Sequence, residues 1–269
     1  MVFVLTMSNI LKINGDVWLC GDLHRNVDLF LQICKENDIR NSSIIILGDC
    51  EVGFRKEHPN KFYNYLSKQL TLRNNTLYLV RGNHDNPDHW HFNTARFFRH
   101  FREEFDITKI IDAVSLNERW PNIFHLFDNS IININGDNYF VCGGAVSIDR
   151  VILKTGTTYF PGERLHASPK LSYNLSLLEN PVIGVLAHTG PRPPILDKKQ
   201  LDRRCAVDKR LADDLAEEES SIKEIMREIR PKFWYNGHFH VSYDGEYNIT
   251  IEDKTKYKCL NICEFYKLY

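Results

Sequence analysis

Five short stretches of this 269-residue chain set carboxylate, carboxamide and imidazole side chains beside glycine. They are Gly21-Asp22-Leu23-His24, Gly48-Asp49, Gly82-Asn83-His84-Asp85, His188-Thr189-Gly190 and Gly237-His238-Phe239-His240. Mixed Asp, His and Asn donors are borderline-hard, so they favour manganese, iron, zinc or a similar divalent ion over the all-oxygen cage that calcium prefers. A purely structural zinc site would usually recruit cysteine, and this set holds none. Cys50, directly after Asp49, reads as a small buried thiol rather than a ligand. Glycine beside a ligand lets the backbone turn sharply and admits the next side chain without a Cβ clash. Asp22 and His24, two residues apart, share one face if the preceding strand continues, as do His238 and His240.

Each of these stretches follows a short apolar run: Asp16 to Cys20, Ser43 to Leu47, Thr76 to Val80, Val182 to Ala187 and Lys232 to Tyr235. Runs of this kind read as buried strands. Between them, apolar residues at helical spacing predict helices over Asn26 to Asn37, Lys61 to Leu72, Thr94 to Glu104 and Asp208 to Ile229, the last one acidic early as suits a helix N-terminus. Ile123 to Phe127 predicts a further strand, with His125 an ordinary member of it. Ile131 to Ile134 and Tyr139 to Cys142 flank Asn-Gly-Asp-Asn, a hairpin signal, and a second hairpin is expected around Asp244-Gly245, followed by Asn248 to Ile251 and Tyr257 to Glu264. The pattern is α/β, with antiparallel strands joining parallel ones. In open α/β sheets ligands gather outside the carboxyl ends of strands, so the five loops are expected to converge.

In its order, D-x-H, G-D, G-N-H-D, H, G-H-x-H, the chain resembles the calcineurin-like metallophosphoesterase superfamily from Asp22 to His240. The resemblance implies a four-layer αββα metallo-dependent phosphatase fold with two mixed central sheets flanked by helices. It implies two divalent metal ions, manganese first, with iron, zinc, nickel or magnesium as alternatives. Asp22, His24 and His240 would hold one ion, Asn83, His188 and His238 the other, and Asp49 would bridge them. His84 matches the family's catalytic histidine, and Asp85 either orients it or sits near the helix start signalled by Asn86-Pro87. The implied reaction is hydrolysis of a phosphomonoester or phosphodiester by in-line attack of a metal-bridging hydroxide, with a histidine protonating the leaving oxygen.

Composition narrows the substrate and the setting. Net charge is −1, with 34 basic and 35 acidic residues, so no global field draws the chain to nucleic acid or an anionic membrane. No apolar run approaches the ~20 residues needed to span a bilayer. The N-terminal run Val2 to Leu5 lacks the marks of a secretory signal, and seven cysteines without a C-x-x-C pair suit a reducing compartment. A cytoplasmic enzyme with a small phosphoester substrate, nucleotide-derived esters in its range, is the expectation. The alternatives are a protein serine/threonine phosphatase, a dinucleoside polyphosphate hydrolase or a non-catalytic scaffold on the same fold. The first two usually extend the second motif to G-D-x-V-D-R-G, which Gly48-Asp49-Cys50-Glu51-Val52-Gly53-Phe54 lacks; a scaffold is expected to lose ligands that this chain keeps.

One domain over residues 1–269 is expected, with cap or insertion segments near 86–122, 146–180 and 190–210. Within these, His89, Trp90, His91, Phe92, Arg96 and His100 either line the substrate mouth or pack a helix with Phe97, Phe98 and Phe101. Gly143 to Arg150, with Tyr159 to Glu163 beyond, resembles a segment of prokaryotic and phage members and either shapes the pocket or, as the favoured reading, is a second-sheet strand plus a surface excursion. The basic stretch Arg192, Lys198, Lys199, Arg203, Arg204, Lys209 and Arg210 reads either as a phosphate-attracting lid close to His188 or, because Asp197, Asp202 and Asp208 weaken its field, as a solvated loop, the latter favoured.

Overall fold

The computed structural model describes residues 10–54, 60–87, 90, 114–115, 120–249 and 253–269. The predicted helix over Thr94 to Glu104, the apolar run Val2 to Leu5, and His89, His91, Phe92, Arg96, Phe97, Phe98, His100 and Phe101 lie outside these residues.

Two sheets face one another. The first, in the order β13-β2-β3-β4-β6-β5, is built from β13 (Phe265–Lys267), β2 (Val17–Cys20), β3 (Ser43–Ile46), β4 (Thr76–Leu79), β6 (Ile123–Leu126) and β5 (Val114–Ser115). The second, in the order β1-β7-β8-β9-β10-β12-β11, joins β1 (Leu11–Ile13), β7 (Ser130–Ile134), β8 (Asp137–Cys142), β9 (Val182–Ala187), β10 (Phe233–Asn236), β12 (Lys254–Cys259) and β11 (Tyr243–Asn248). Both mix parallel and antiparallel pairs. The parallel steps from β2 to β3 and from β3 to β4 are bridged by α1 (Val27–Glu36) and α2 (Asn60–Thr71), as parallel pairing demands.

Side-chain alternation along the strands sorts the core into three layers. Val17, Leu19, Ile45 and Val80 of the first sheet meet Ile132, Tyr139, Val141 and Leu186 of the second. On the outer face of the first sheet, Cys20, Ile44, Ile46 and Leu79 pack against Phe30 and Cys34 of α1 and Leu66 and Leu70 of α2. On the outer face of the second, Phe140, Val185 and Trp234 pack against Ile222, Ile225 and Met226 of α5 (Lys209–Ile229). The result is the expected helix-sheet-sheet-helix sandwich.

Several local expectations need correction. Asp244-Gly245 lies inside β11, paired with Lys258 and Tyr257 of β12, so the second hairpin turns after Asn248 and not at Asp244. The region expected as a solvated loop contains a helix, α4 (Lys198–Val207), started by Asp197, whose carboxylate accepts from the Lys199 N–H at 2.8 Å. Asp208 ends α4 and caps α5, accepting from the Arg210 N–H at 3.0 Å, a contact worth about 1 kcal/mol. No acid sits in the first turn of α5, so that cap supplies the favourable charge at its N-terminus. Residues 143–149 form no strand; they are a largely buried connection running under the site.

Candidate metal centre

Register places the site. Cys20, Ile46 and Leu79 are aligned across β2, β3 and β4, so the loops bearing Asp22, Asp49 and Asn83 leave the first sheet at one edge. Leu186 is aligned with Tyr235 across β9 and β10, so His188 and His238 leave the second sheet together.

The loops, not the strands, aim the side chains. β2 stops at Cys20 and β10 at Asn236, and His24, Asp49, His238 and His240 take φ of 43°, 49°, 65° and 53°. Left-handed backbone at non-glycine residues costs energy and concentrates at functional sites. The pairs Asp22/His24 and His238/His240 therefore converge through left-handed turns, not through the strand alternation expected from their spacing. Gly237 allows the closest approach: a Cβ there would overlap Asp22 Oδ1.

One group gathers Asp22, His24, Asp49 and His240, whose donor atoms all lie within 4.8 Å of one another. His240 Nε2 lies 3.0 Å from Asp22 Oδ2, and His24 Nε2 lies 3.6 Å from both Asp22 Oδ2 and Asp49 Oδ2. The two Nε2 atoms are 2.9 Å apart. Asp22 is fully buried, and its Oδ2 has no hydrogen-bond partner despite these approaches. A second group centres on Asn83 Oδ1, 2.8 Å from His188 Nε2 and 3.1 Å from His238 Nδ1. His188 Nδ1 donates to Leu47 O at 2.7 Å, which turns Nε2 toward Asn83. Asp49 reaches both groups, with Oδ2 toward His24 and Oδ1 3.4 Å from His188 Nε2.

Lone pairs facing lone pairs at such distances require a positive charge between them. In the metal-free protein, protons supply it. Burial opposes protonation of His24 and His188, but the carboxylates outweigh it: Asp22 and Glu51 raise His24 to about 10, and Asp49 and Asp22 raise His188 to about 9. Burial holds His238 neutral, lowered to about 3. Asp22, despite its burial, is lowered to about 2 by His188, His24 and His240, and Asp49 is likewise held well below its ordinary range. A buried orphan carboxylate oxygen and converging imidazole nitrogens are a donor set that fits a divalent cation.

The structure separates His84 from Asp85. The His84 N–H donates to Asp49 Oδ1 at 2.8 Å, and its ring lies beside Phe54 and His24, at 5.0 and 5.4 Å between centroids, on the wall of an open cavity. Asp85 turns away: Oδ1 accepts from Val52 N at 2.9 Å and Oδ2 from Gly82 N at 2.7 Å. It ties the second and third loops together and does not reach the His84 ring. Burial raises its carboxyl to about 6. Cys50 is buried with its thiol pushed up, in keeping with a packing role. His125 is more than a passive strand residue, since it hydrogen-bonds Tyr63 at 2.9 Å and stacks on Trp90.

Residues 15–242 match the calcineurin-like phosphoesterase family. The chain belongs to that family. The solved structure of the phosphopantetheinyl hydrolase from Mycobacterium tuberculosis is similar at a TM-score of 0.46 and 11% identity, covering 97% of this chain and 96% of that one. No curated protein matches the sequence.

Three side chains of this phosphoesterase support the site without having been singled out from the sequence. Glu51 Oε1 lies 3.4 Å from His24 Nδ1, and its other oxygen pairs with Arg25 at 3.2 Å. Ser147 Oγ accepts from Asn83 Nδ2 at 2.9 Å, and the Ser147 N–H donates to Glu163 Oε1 at 2.8 Å. Glu51 carried a signal, an acid two residues after Asp49. Ser147 and Glu163 carried only their place in a segment for which shaping the pocket was the less favoured of two readings.

Proposed function

We propose that this phosphoesterase holds two divalent cations, manganese foremost, and hydrolyses a small phosphomonoester or phosphodiester in the cytoplasm. The observation that carries this reading is Asp49, whose two oxygens face the two separate donor groups. Asp22, His24 and His240 would hold one ion, Asn83, His188 and His238 the other, and Asp49 would lie between them. Bound divalent cations supply charge that offsets phosphate repulsion and acidifies water.

The chain's own residues provide the rest. Glu51 orients the His24 ring from behind, and Leu47 O does the same for His188. His84 stands on the cavity wall with its backbone anchored to Asp49, so its imidazole is free to give a proton to the departing oxygen. No helix among the described residues is long and apolar enough to cross a membrane.

The test is hydrolysis of bis-p-nitrophenyl phosphate and p-nitrophenyl phosphate by metal-stripped protein, before and after adding manganese. Turnover is expected only with metal, and Asp49→Asn is expected to lose metal occupancy and turnover together, because a neutral amide bridges two cations badly. His84→Ala is expected to keep its metal and lose turnover by roughly 10²-fold or more. Two tightly bound ions in Asp49→Asn would sink the bridging role, and full activity in His84→Ala on a poor leaving group would sink the proton donor.

A further inference from the structure

The donor groups open into a cavity of about 610 Å³, far more than a phosphate fills. Asn83, His84 and His238 lie on its wall, and Leu201 of α4 and Leu215 and Ile222 of α5 give it apolar surface suited to an organic group. Of the seven basic residues between Arg192 and Arg210, Arg192 and Arg204 line this cavity and the other five do not. Arg192 is exposed at the rim of the cavity, as a solvated loop predicts, and Arg204 is half-buried on the cavity wall, where the phosphate-attracting alternative would place it.

Arg25, Arg81, Arg150 and Arg164 each make an ion pair, with Glu51, Asp128, Asp208 and Asp214 respectively. Neither Arg192 nor Arg204 makes an ion pair within 4.0 Å among the described residues, although Asp197 is close enough to favour the charged form of Arg192 against its partial burial. Guanidiniums on a cavity wall that no carboxylate holds in an ion pair can take an anion from outside through their paired N–H donors.

The acids of the same wall form no ion pair with either arginine among the described residues. Asp197 caps the Lys199 N–H, and Glu219 pairs with Lys223 at 2.6 Å. Glu218 is buried, and that burial pushes it up to about 7. Asp149 and Asp49 also lie on this wall, and neither forms an ion pair with the two guanidiniums among the described residues.

We propose that Arg192 and Arg204 form a subsite for a second anionic group, phosphate or carboxylate, carried on the organic part of the phosphoester. The proposal rests on the phosphoesterase reading above and narrows it: the preferred substrate has two acidic ends joined by an organic spacer, one at the metal donors and the other at α4. A guanidinium recognises either oxyanion through paired N–H donors, which a lysine at the same place would not match.

Calorimetric titration of the manganese-loaded protein tests this without relying on turnover. The probes are alkanediol monophosphates, the corresponding α,ω-bisphosphates, and monophosphates ending in a carboxylate, over a series of chain lengths. At a spanning length, the two-anion probes are expected to bind about tenfold tighter than the monophosphate, and the Arg192→Ala/Arg204→Ala double variant to bring that ratio within about twofold. Whichever two-anion series shows the larger gain identifies the second group. Lys199→Ala removes the same charge from the outer face of α4 and is expected to keep the wild-type ratio. No two-anion preference at any length, a preference that survives the double substitution, or an equal loss in Lys199→Ala would each overturn the subsite while leaving the phosphoesterase reading intact. Failure of the manganese-loaded protein to bind any of the monophosphates would count against that reading itself.

Discussion

The Asn83 carboxamide can present either its oxygen or its nitrogen to His188 and His238, and only its hydrogen-bond partners decide which. Here Nδ2 points to Ser147 Oγ, and the Ser147 hydroxyl lies within reach of the Glu163 carboxylate. Burial raises the Glu163 carboxyl to about 8, but an oxygen of it can still take the Ser147 hydrogen; that hydroxyl then offers only lone pairs to Asn83, so the amide end is held there and the oxygen faces the two imidazoles. Ser147→Ala removes that constraint, and affinity at the Asn83 site is expected to fall by roughly tenfold or more. Ser147→Thr, which keeps the hydroxyl, is expected to restore it. Manganese titration of the stripped protein measures both, with circular dichroism checking the fold. Unchanged stoichiometry and affinity in Ser147→Ala would show that the carboxamide needs no such holder. The seven side chains that converge here were legible as a group because Asp, Asn and His beside glycine at a strand end are uncommon together. A serine in an apolar stretch over sixty residues away carries no such mark, because its role exists only once the chain has folded.

At the scale of elements, strand position was easier to read than strand consequence. β9 lies over Val182–Ala187, as its apolar run predicts, and α1 over Val27–Glu36 differs from its expected span by one residue at each end. Periodicity says where a strand runs but not how its end turns, and the left-handed turns at His24, Asp49, His238 and His240 were invisible to it. The misplaced hairpin has a similar origin, since Gly245 occupies a strand position where Tyr243 closes around it. Gly237 offers a test at this scale. Its φ lies outside the left-handed region, so alanine there meets no backbone objection, and the damage comes from a Cβ driven into Asp22 Oδ1. Gly237→Ala is expected to cost about 1–3 kcal/mol in the metal-free protein and to weaken the Asp22 cation site, measured by thermal melting and manganese titration. Wild-type values in both would mean that the loop after β10 yields freely and does not set the position of Asp22.

For the whole molecule, a net charge of −1 hides a strong local imbalance. Two carboxylates, Asp22 and Asp49, are buried at the junction of the two sheets, and in the absence of metal His24 and His188 compensate them as imidazolium ions. The consequences follow by linkage. A histidine whose folded pKa is raised to about 10 or about 9 stabilises the fold fully below its unfolded value of about 6.5, and that contribution is lost as the pH rises through 9 and 10. Asp22, lowered to about 2, contributes above its unfolded value near 3.8 and loses that contribution as the pH falls through 2. The metal-free protein is therefore expected to melt at progressively lower temperature from about pH 6.5 upward, while the metal-loaded protein, whose cations replace the protons, changes less. The same exchange must appear in binding. At pH 7 both imidazoles are charged in the metal-free state, so saturation with manganese is expected to release about two protons per chain, one from His24 and one from His188, and about none from His238, which is already neutral. Calorimetry in buffers of different ionisation enthalpy counts these protons directly. A count near two at pH 7 that declines above pH 9 would support cations seated among these imidazoles, whereas a count of zero at pH 7 would place the ions elsewhere.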